Sequence, residues 1–156
     1  MHAASPAGAD GVGADLEACL PFLSPAERDQ LRPFLSERTF RPDEVVMRDG
    51  EAGDFLGILV NGRLAVRKET IFPGRHVLVA FLESGALVGE VAGVVRCQRN
   101  TTVAAVEASR LLLLASKDLE RLLEEFPALG ITLLKRIIAV LGNRLHHATD
   151  RLARLL

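Results

Sequence analysis

The chain has 156 residues and carries 19 Lys and Arg against 20 Asp and Glu, a net charge of −1. That length holds one ordinary domain with a real core, and the charge balance argues against a strongly electrostatic partner such as duplex DNA. Cys19 and Cys97 are too few for a disulfide framework, and their spacing fits no zinc or iron–sulfur pattern, so a reducing, cytoplasmic setting is expected.

Residues 1–13 are rich in Ala and Gly and lack the basic and apolar regions of a signal peptide, so they read as a flexible tail. Ser24-Pro25-Ala26-Glu27 combines a capping box with proline at the first helical position, and Leu31, Phe34 and Leu35 follow at helical spacing. From Thr39 the period changes to short strands around residues 45–47, 55–60 and 64–66, punctuated by Asp-Gly, Ala-Gly and Asn-Gly pairs. Asn61-Gly62 is the strongest hairpin signal, because a type I′ turn needs positive φ at both central residues. Phe72-Pro73-Gly74 marks another turn, and residues 77–82 and 111–114 read as buried strands. Many short strands with regular turns predict a barrel or double-sheet roll. No run approaches the roughly 18 apolar residues of a membrane span, so a soluble chain is expected.

The stretch 89–103 carries the chemistry. Gly89 permits close backbone approach to a ligand, and Glu90, Val91 and Ala92 read as a first helical turn whose free N–H groups attract an anion. Nine residues after Glu90 comes Arg99, whose planar guanidinium suits bidentate pairing with phosphate oxygens. An ionised Glu90 accepts only, which suits a sugar hydroxyl. The plainer alternative is a surface ion pair between Glu90 and Arg99, worth under about 1 kcal/mol.

Gly89-Glu90-Val91-Ala92, the short loop and Arg99-Asn100-Thr101-Thr102-Val103 resemble the phosphate-binding cassette of the cyclic-nucleotide-binding domain family, found in bacterial catabolite-activator-like regulators and kinase regulatory subunits. The similarity continues upstream through residues 40–66 and on to the final helices, about nine-tenths of the chain. It implies a mainly β fold with helices: a double-stranded, jelly-roll-like β-roll flanked by N-terminal helices over residues 14–126, then a long C-terminal helix over 127–156. It also implies a regulatory ligand, cAMP or cGMP, and no other cofactor. Gly89, Glu90, Val91, Ala92, Arg99, Asn100 and Thr101 would hold that ligand, Glu90 at the ribose 2′-hydroxyl and Arg99 at the cyclic phosphate. Asn100 stands where relatives often carry Ala, Ser or Thr; its amide could bond a phosphate oxygen or a purine edge, or cap a turn. Val66, Val79 and Leu82 are candidates for the apolar wall beside the base.

Ser116 opens a helix that reaches Phe126-Pro127, and a second helical pattern runs from there without internal proline. Leu133, Ile137 and Val140 form one stripe that ends near Arg144. Ile138, Leu141, Leu145, Ala148, Leu152 and Leu155 continue to the end as a heptad seam, which predicts a parallel homodimer; the alternative is a helix folded back over its own roll. The resemblance implies that this helix also supplies a hydroxyl to the purine, sometimes across the dimer. Thr149 stands at that place, with Ala148 where a second polar residue is frequent.

No P-loop, zinc motif, nucleophile elbow or triad is present, so no enzyme is expected. His76 is isolated, and the adjacent His146 and His147 diverge on a helix, which disfavours a shared metal. Cys97 lies between Arg96 and Arg99, a setting that can favour a reactive thiolate. No helix-turn-helix follows, so direct DNA binding by this chain is not expected. The expectation is a cyclic-nucleotide sensor in which ligand shifts the docking of the C-terminal helix and cAMP is favoured over cGMP. The alternatives are a ligand-independent dimeric interaction module and the sensor fragment of a transcription regulator; an effector protein is a possible further partner.

Overall fold

The computed structural model describes residues 5–6 and 9–156. Helix α1 (Ala9–Cys19) and helix α2 (Pro25–Leu31) follow a short strand β1 (Ser5–Pro6). Strands β2 (Leu35–Phe40), β3 (Val45–Met47), β4 (Phe55–Asn61), β5 (Leu64–Glu69), β6 (His76–Leu82) and β7 (Leu87–Val88) lead to helix α3 (Glu90–Val95). Strands β8 (Thr102–Ala105) and β9 (Ser109–Ala115) then precede helices α4 (Ser116–Glu125) and α5 (Pro127–Leu155).

The strands form two antiparallel sheets, β1-β2-β9-β4-β7 and β3-β8-β5-β6. They face each other as a β-roll and are not closed into a barrel. Strand β9 divides the core: Leu111 and Leu113 point between the sheets with Phe40, Leu59 and Leu64, while Leu112 and Leu114 point to the helices with Leu16, Leu31, Leu122 and Leu129. Its unbroken leucine run is the pattern of a strand buried on both faces.

Local chemistry sets the boundaries. The Ser24 hydroxyl accepts from the Glu27 N–H and the Glu27 carboxylate accepts from the Ser24 N–H, each at 3.1 Å, closing the expected capping box at α2. Asn61-Gly62, however, does not join a hairpin. Strand β4 pairs with β7 and β9 while β5 pairs with β6 and β8, so the turn carries the chain from one sheet to the other. Gly62 alone of the pair has positive φ, +104°, and the Arg63 N–H donates to the Ser109 hydroxyl at 3.1 Å, tying the crossing to the start of β9. The hairpin is β5–β6, closed by the Phe72-Pro73-Gly74 turn with Gly74 at φ +79°.

Two further expectations are corrected. Of the tail read over residues 1–13, residues 1–4 and 7–8 lie outside the described residues, but 9–13 belong to α1 and Val12 is buried against the roll. In β6 only Leu82 is buried; Val77, Leu78, Val79 and Phe81 are 39–52% exposed, because β6 is the edge of its sheet.

A two-pronged ion pair anchors α1: Arg110 on β9 donates to both Asp15 carboxylate oxygens at 2.7 and 3.0 Å, with Glu37 3.6 Å away. These acceptors raise the Arg110 pKa, the Asp15 hydrogen bond foremost. Replacing Asp15 with alanine is expected to cost about 1–2 kcal/mol, as for a partly buried charge-assisted hydrogen bond, read as a lower urea midpoint with an unchanged slope.

Candidate functional site

The site forms where α3 is pressed against β4. Gly93 lies so close to that strand that a Cβ there would stand 2.7 Å from the Phe55 carbonyl carbon and oxygen, and the Ser116 hydroxyl at the start of α4 donates to the Gly93 carbonyl at 2.5 Å. Gly89, in the left-handed region at φ +69°, turns the chain from β7 into α3. The first-turn N–H groups of a helix have no intrahelical acceptors.

The loop after α3 is held by the turn preceding β4. The Gly50 N–H donates to the Arg99 carbonyl at 2.8 Å, the Arg99 N–H to the Glu51 carbonyl at 2.7 Å and the Gly53 N–H to the Cys97 carbonyl at 3.0 Å. Arg99 is thereby fixed as backbone before its side chain is used. That side chain is 5% exposed; it donates to the Gly89 carbonyl at 2.8 Å and the Phe55 carbonyl at 2.7 Å and lies 4.7 Å from the centre of the Phe55 ring. Desolvation lowers its pKa, opposed by Asp54, Cys97, Glu51 and Glu90.

Glu90 is also 5% exposed. Its carboxylate accepts from Arg144 of α5, whose guanidinium also donates to the Leu87 carbonyl at 2.6 Å. Glu90 and Arg99 are therefore not the exposed ion pair weighed above. They are two buried charges lining one cavity of about 290 Å³, at the small end of the range for ligand sites.

Gly89, Glu90, Val91, Ala92, Arg99, Asn100 and Thr101 all line that cavity, as do Val66 and Leu82. Val79 and Thr149 do not. A bulge interrupts the β5–β6 ladder at Val79, between the pairs Val66–Ala80 and Arg67–Leu78, and takes it away from the wall. Thr149 is exposed and its hydroxyl donates to the Leu145 carbonyl of its own helix at 2.9 Å. Asn100 is exposed, and its carbonyl accepts from Lys68 at 2.6 Å.

Met47, Val88, Val103 and Leu141 complete the apolar lining, and Arg144 closes it from α5. Leu141, read as part of the seam, thus faces the cavity of its own chain. Arg144 was not singled out, yet it had a signal: it falls four residues after Val140 and seven after Ile137, at an inward position of the helix. A charge on a buried stripe needs a buried partner.

A β-roll that buries a cation and a carboxylate around one small cavity has the chemistry to accept a ligand bearing both an anion and hydroxyls. The chain belongs to the cyclic nucleotide-binding domain family, whose model matches residues 37–126, and it is a cyclic-nucleotide-binding regulatory module. It is 32% identical to a cAMP-dependent protein kinase regulatory subunit of Yarrowia lipolytica over 67% of this chain and 27% of that protein. It is 26% identical to the Cyclic AMP receptor protein of Thermus thermophilus over 81% of this chain and 56% of that protein. The chain thus spans about a quarter to a half of these relatives' lengths. The crystal structure of a cyclic nucleotide-binding domain from Methylobacillus flagellatus shares the fold at a TM-score of 0.88 and 22% identity, covering 96% of this chain and 86% of that one. The chain's fold is thus that of non-catalytic regulatory domains. Among the described residues no group of His, Cys, Asp and Glu could hold a metal ion, and no helix is long and apolar enough to cross a membrane.

Proposed function

We propose that the chain senses cAMP in preference to cGMP and reports it through α5. The observation that carries this reading is the pair of buried charges, Arg99 and Glu90, on one small cavity. The cyclic phosphate docks on Arg99 and the ribose 2′-hydroxyl on Glu90, while Val66 and Leu82 flank the base; the relatives named for cyclic AMP favour the adenine ligand. Arg144 supplies the link to α5, because a hydroxyl donating to Glu90 competes with the guanidinium already on that carboxylate. Ligand then favours the state in which α5 is released, by its differential affinity for the two states.

The exposed stripe of α5 pairs with a second copy in parallel. With Ile138, Leu145 and Leu152 at a and Ala148 and Leu155 at d, Arg144 is at g and Thr149 at the following e; Leu141 joins d once α5 leaves the cavity. Positions g and e meet across a parallel pair, so Thr149 reaches a ligand from the second copy rather than in its own chain.

Isothermal titration with cAMP, cGMP and guanosine tests the reading. Binding of cAMP tightest, cGMP weaker and guanosine negligibly is expected, since guanosine offers Arg99 no phosphate. Silence with all three in a folded protein would overturn it and favour the ligand-independent interaction module.

A further inference from the structure

Strand β5 pairs with β8 from Leu64 opposite Ala105 to Arg67 opposite Thr102, and the ladder stops one residue short of Lys68. Beyond Thr102 lie Thr101 and Asn100, which line the cavity beside Arg99 and stand outside both ladders of β8. The peptide groups of this lip therefore need a holder other than a neighbouring strand.

Lys68 supplies one. Its ammonium donates to the Asn100 carbonyl at 2.6 Å and to an Asp49 carboxylate oxygen at 2.8 Å, and the Asp49 N–H donates to the Thr102 hydroxyl at 3.1 Å. Asp49 belongs to the same turn whose Gly50 and Glu51 fix the Arg99 backbone. One side chain of β5 thus ties the turn preceding β4 to the segment that follows Arg99.

We infer that Lys68 is a positioning residue for the phosphate of the ligand, acting through the peptide between Asn100 and Thr101. The inference rests on the reading of the cavity as a cyclic-nucleotide site and adds a group to it beyond Glu90 and Arg99. A trans peptide is planar, so its C=O and N–H point in opposite directions. Holding the Asn100 carbonyl out toward β5 fixes the Thr101 N–H on the other side, toward an anion seated on Arg99. An N–H aimed in advance at a phosphate oxygen adds binding that a freely turning peptide would lose to ordering.

A surface ion pair alone does not account for this arrangement. The Lys68 and Asp49 side chains are 47% and 31% exposed, and a pair so placed contributes little to stability. The contact to Asn100 instead reaches a backbone oxygen 32 residues away in the chain, at the residue directly after Arg99.

Titration calorimetry of wild type, Lys68→Met and Lys68→Arg tests this, with cAMP and with its two phosphorothioate diastereomers, in which sulfur replaces one or the other exocyclic phosphate oxygen. Methionine keeps the apolar stem and removes the donors, whereas arginine keeps donors for both acceptors. Lys68→Met is expected to weaken cAMP binding about tenfold and to narrow the affinity ratio of the diastereomers, because sulfur is a weak acceptor and only one of the two positions faces the N–H. Lys68→Arg is expected to restore both. The ratio separates positioning from a general loss, since loosening the fold or removing a distant charge weakens both diastereomers alike. Wild-type affinity in Lys68→Met, or an equal loss with both diastereomers, overturns the positioning role and leaves the cyclic-nucleotide site standing. A folded wild-type chain that binds none of the three ligands overturns that site and the role with it.

Discussion

Arg99→Ala is expected to lower cyclic-nucleotide affinity by at least about 100-fold. A charge-assisted, two-pronged contact to phosphate is among the stronger polar interactions in proteins, and among the described residues no other cation lines the cavity beside it except Arg144, which is engaged with Glu90 and the Leu87 carbonyl. The side chain also has a structural part, since it donates to Gly89 and Phe55. Alanine leaves the Phe55 carbonyl without that donor, at a cost of about 1–3 kcal/mol. Titration calorimetry at a temperature well below the variant's unfolding transition separates the two losses. Arg99→Lys is expected to bind nearly as poorly, because one ammonium cannot reproduce a planar fork that serves two carbonyls and a phosphate. A folded Arg99→Ala protein that binds cAMP like the wild type would sink the assigned site.

Arg144→Gln carries the second large effect, and its two consequences have opposite sign. Removing the guanidinium leaves the buried Glu90 without its ion-pair partner, which is expected to cost about 2 kcal/mol, less than a fully buried pair because the Arg144 side chain is 39% exposed. Cyclic-nucleotide affinity is nevertheless expected to rise about tenfold, since the ligand no longer has to displace Arg144 from Glu90. A tenfold gain is about 1.4 kcal/mol of coupling, the usual scale for linked sites. Hydrogen exchange supplies the structural readout: amides of α5 beyond residue 144 are expected to lose protection in the variant, and in wild type on adding ligand. Unchanged affinity in the variant would disconnect α5 from the site.

The charges of the site were legible because they lie within one local stretch: the nine-residue spacing from Glu90 to Arg99 survives any uncertainty about the surrounding sheets. Their surroundings were less so. Asn61-Gly62 announces that the chain turns but not which strands will pair, and Gly62 turns it across sheets because β4 and β5 each find partners distant in sequence. Val79 left the wall through a bulge, a register event that alternation alone does not encode. Arg144 lies 54 residues from its carboxylate, so only its place on an inward stripe marked it. The apolar run of β6 predicts burial, yet at the edge of its sheet only Leu82 is buried, because composition does not encode which strand takes the edge.

The hydrogen bond from Ser116 to the Gly93 carbonyl turns the three last helices into a lever. Any rise of α3 would pull on the start of α4, and α4 is capped by Phe126, wedged edge-on against Phe34 with ring centres 6.2 Å apart. That wedge is a fulcrum, because α5 begins at the next residue and runs 29 residues, about 43 Å. If ligand releases Arg144 as proposed, a tilt of about 5° at Pro127 would carry Leu155 about 4 Å. A displacement too small to notice at the cavity would become, at the far end of the helix, wide enough to change which side chains meet in the proposed parallel pair.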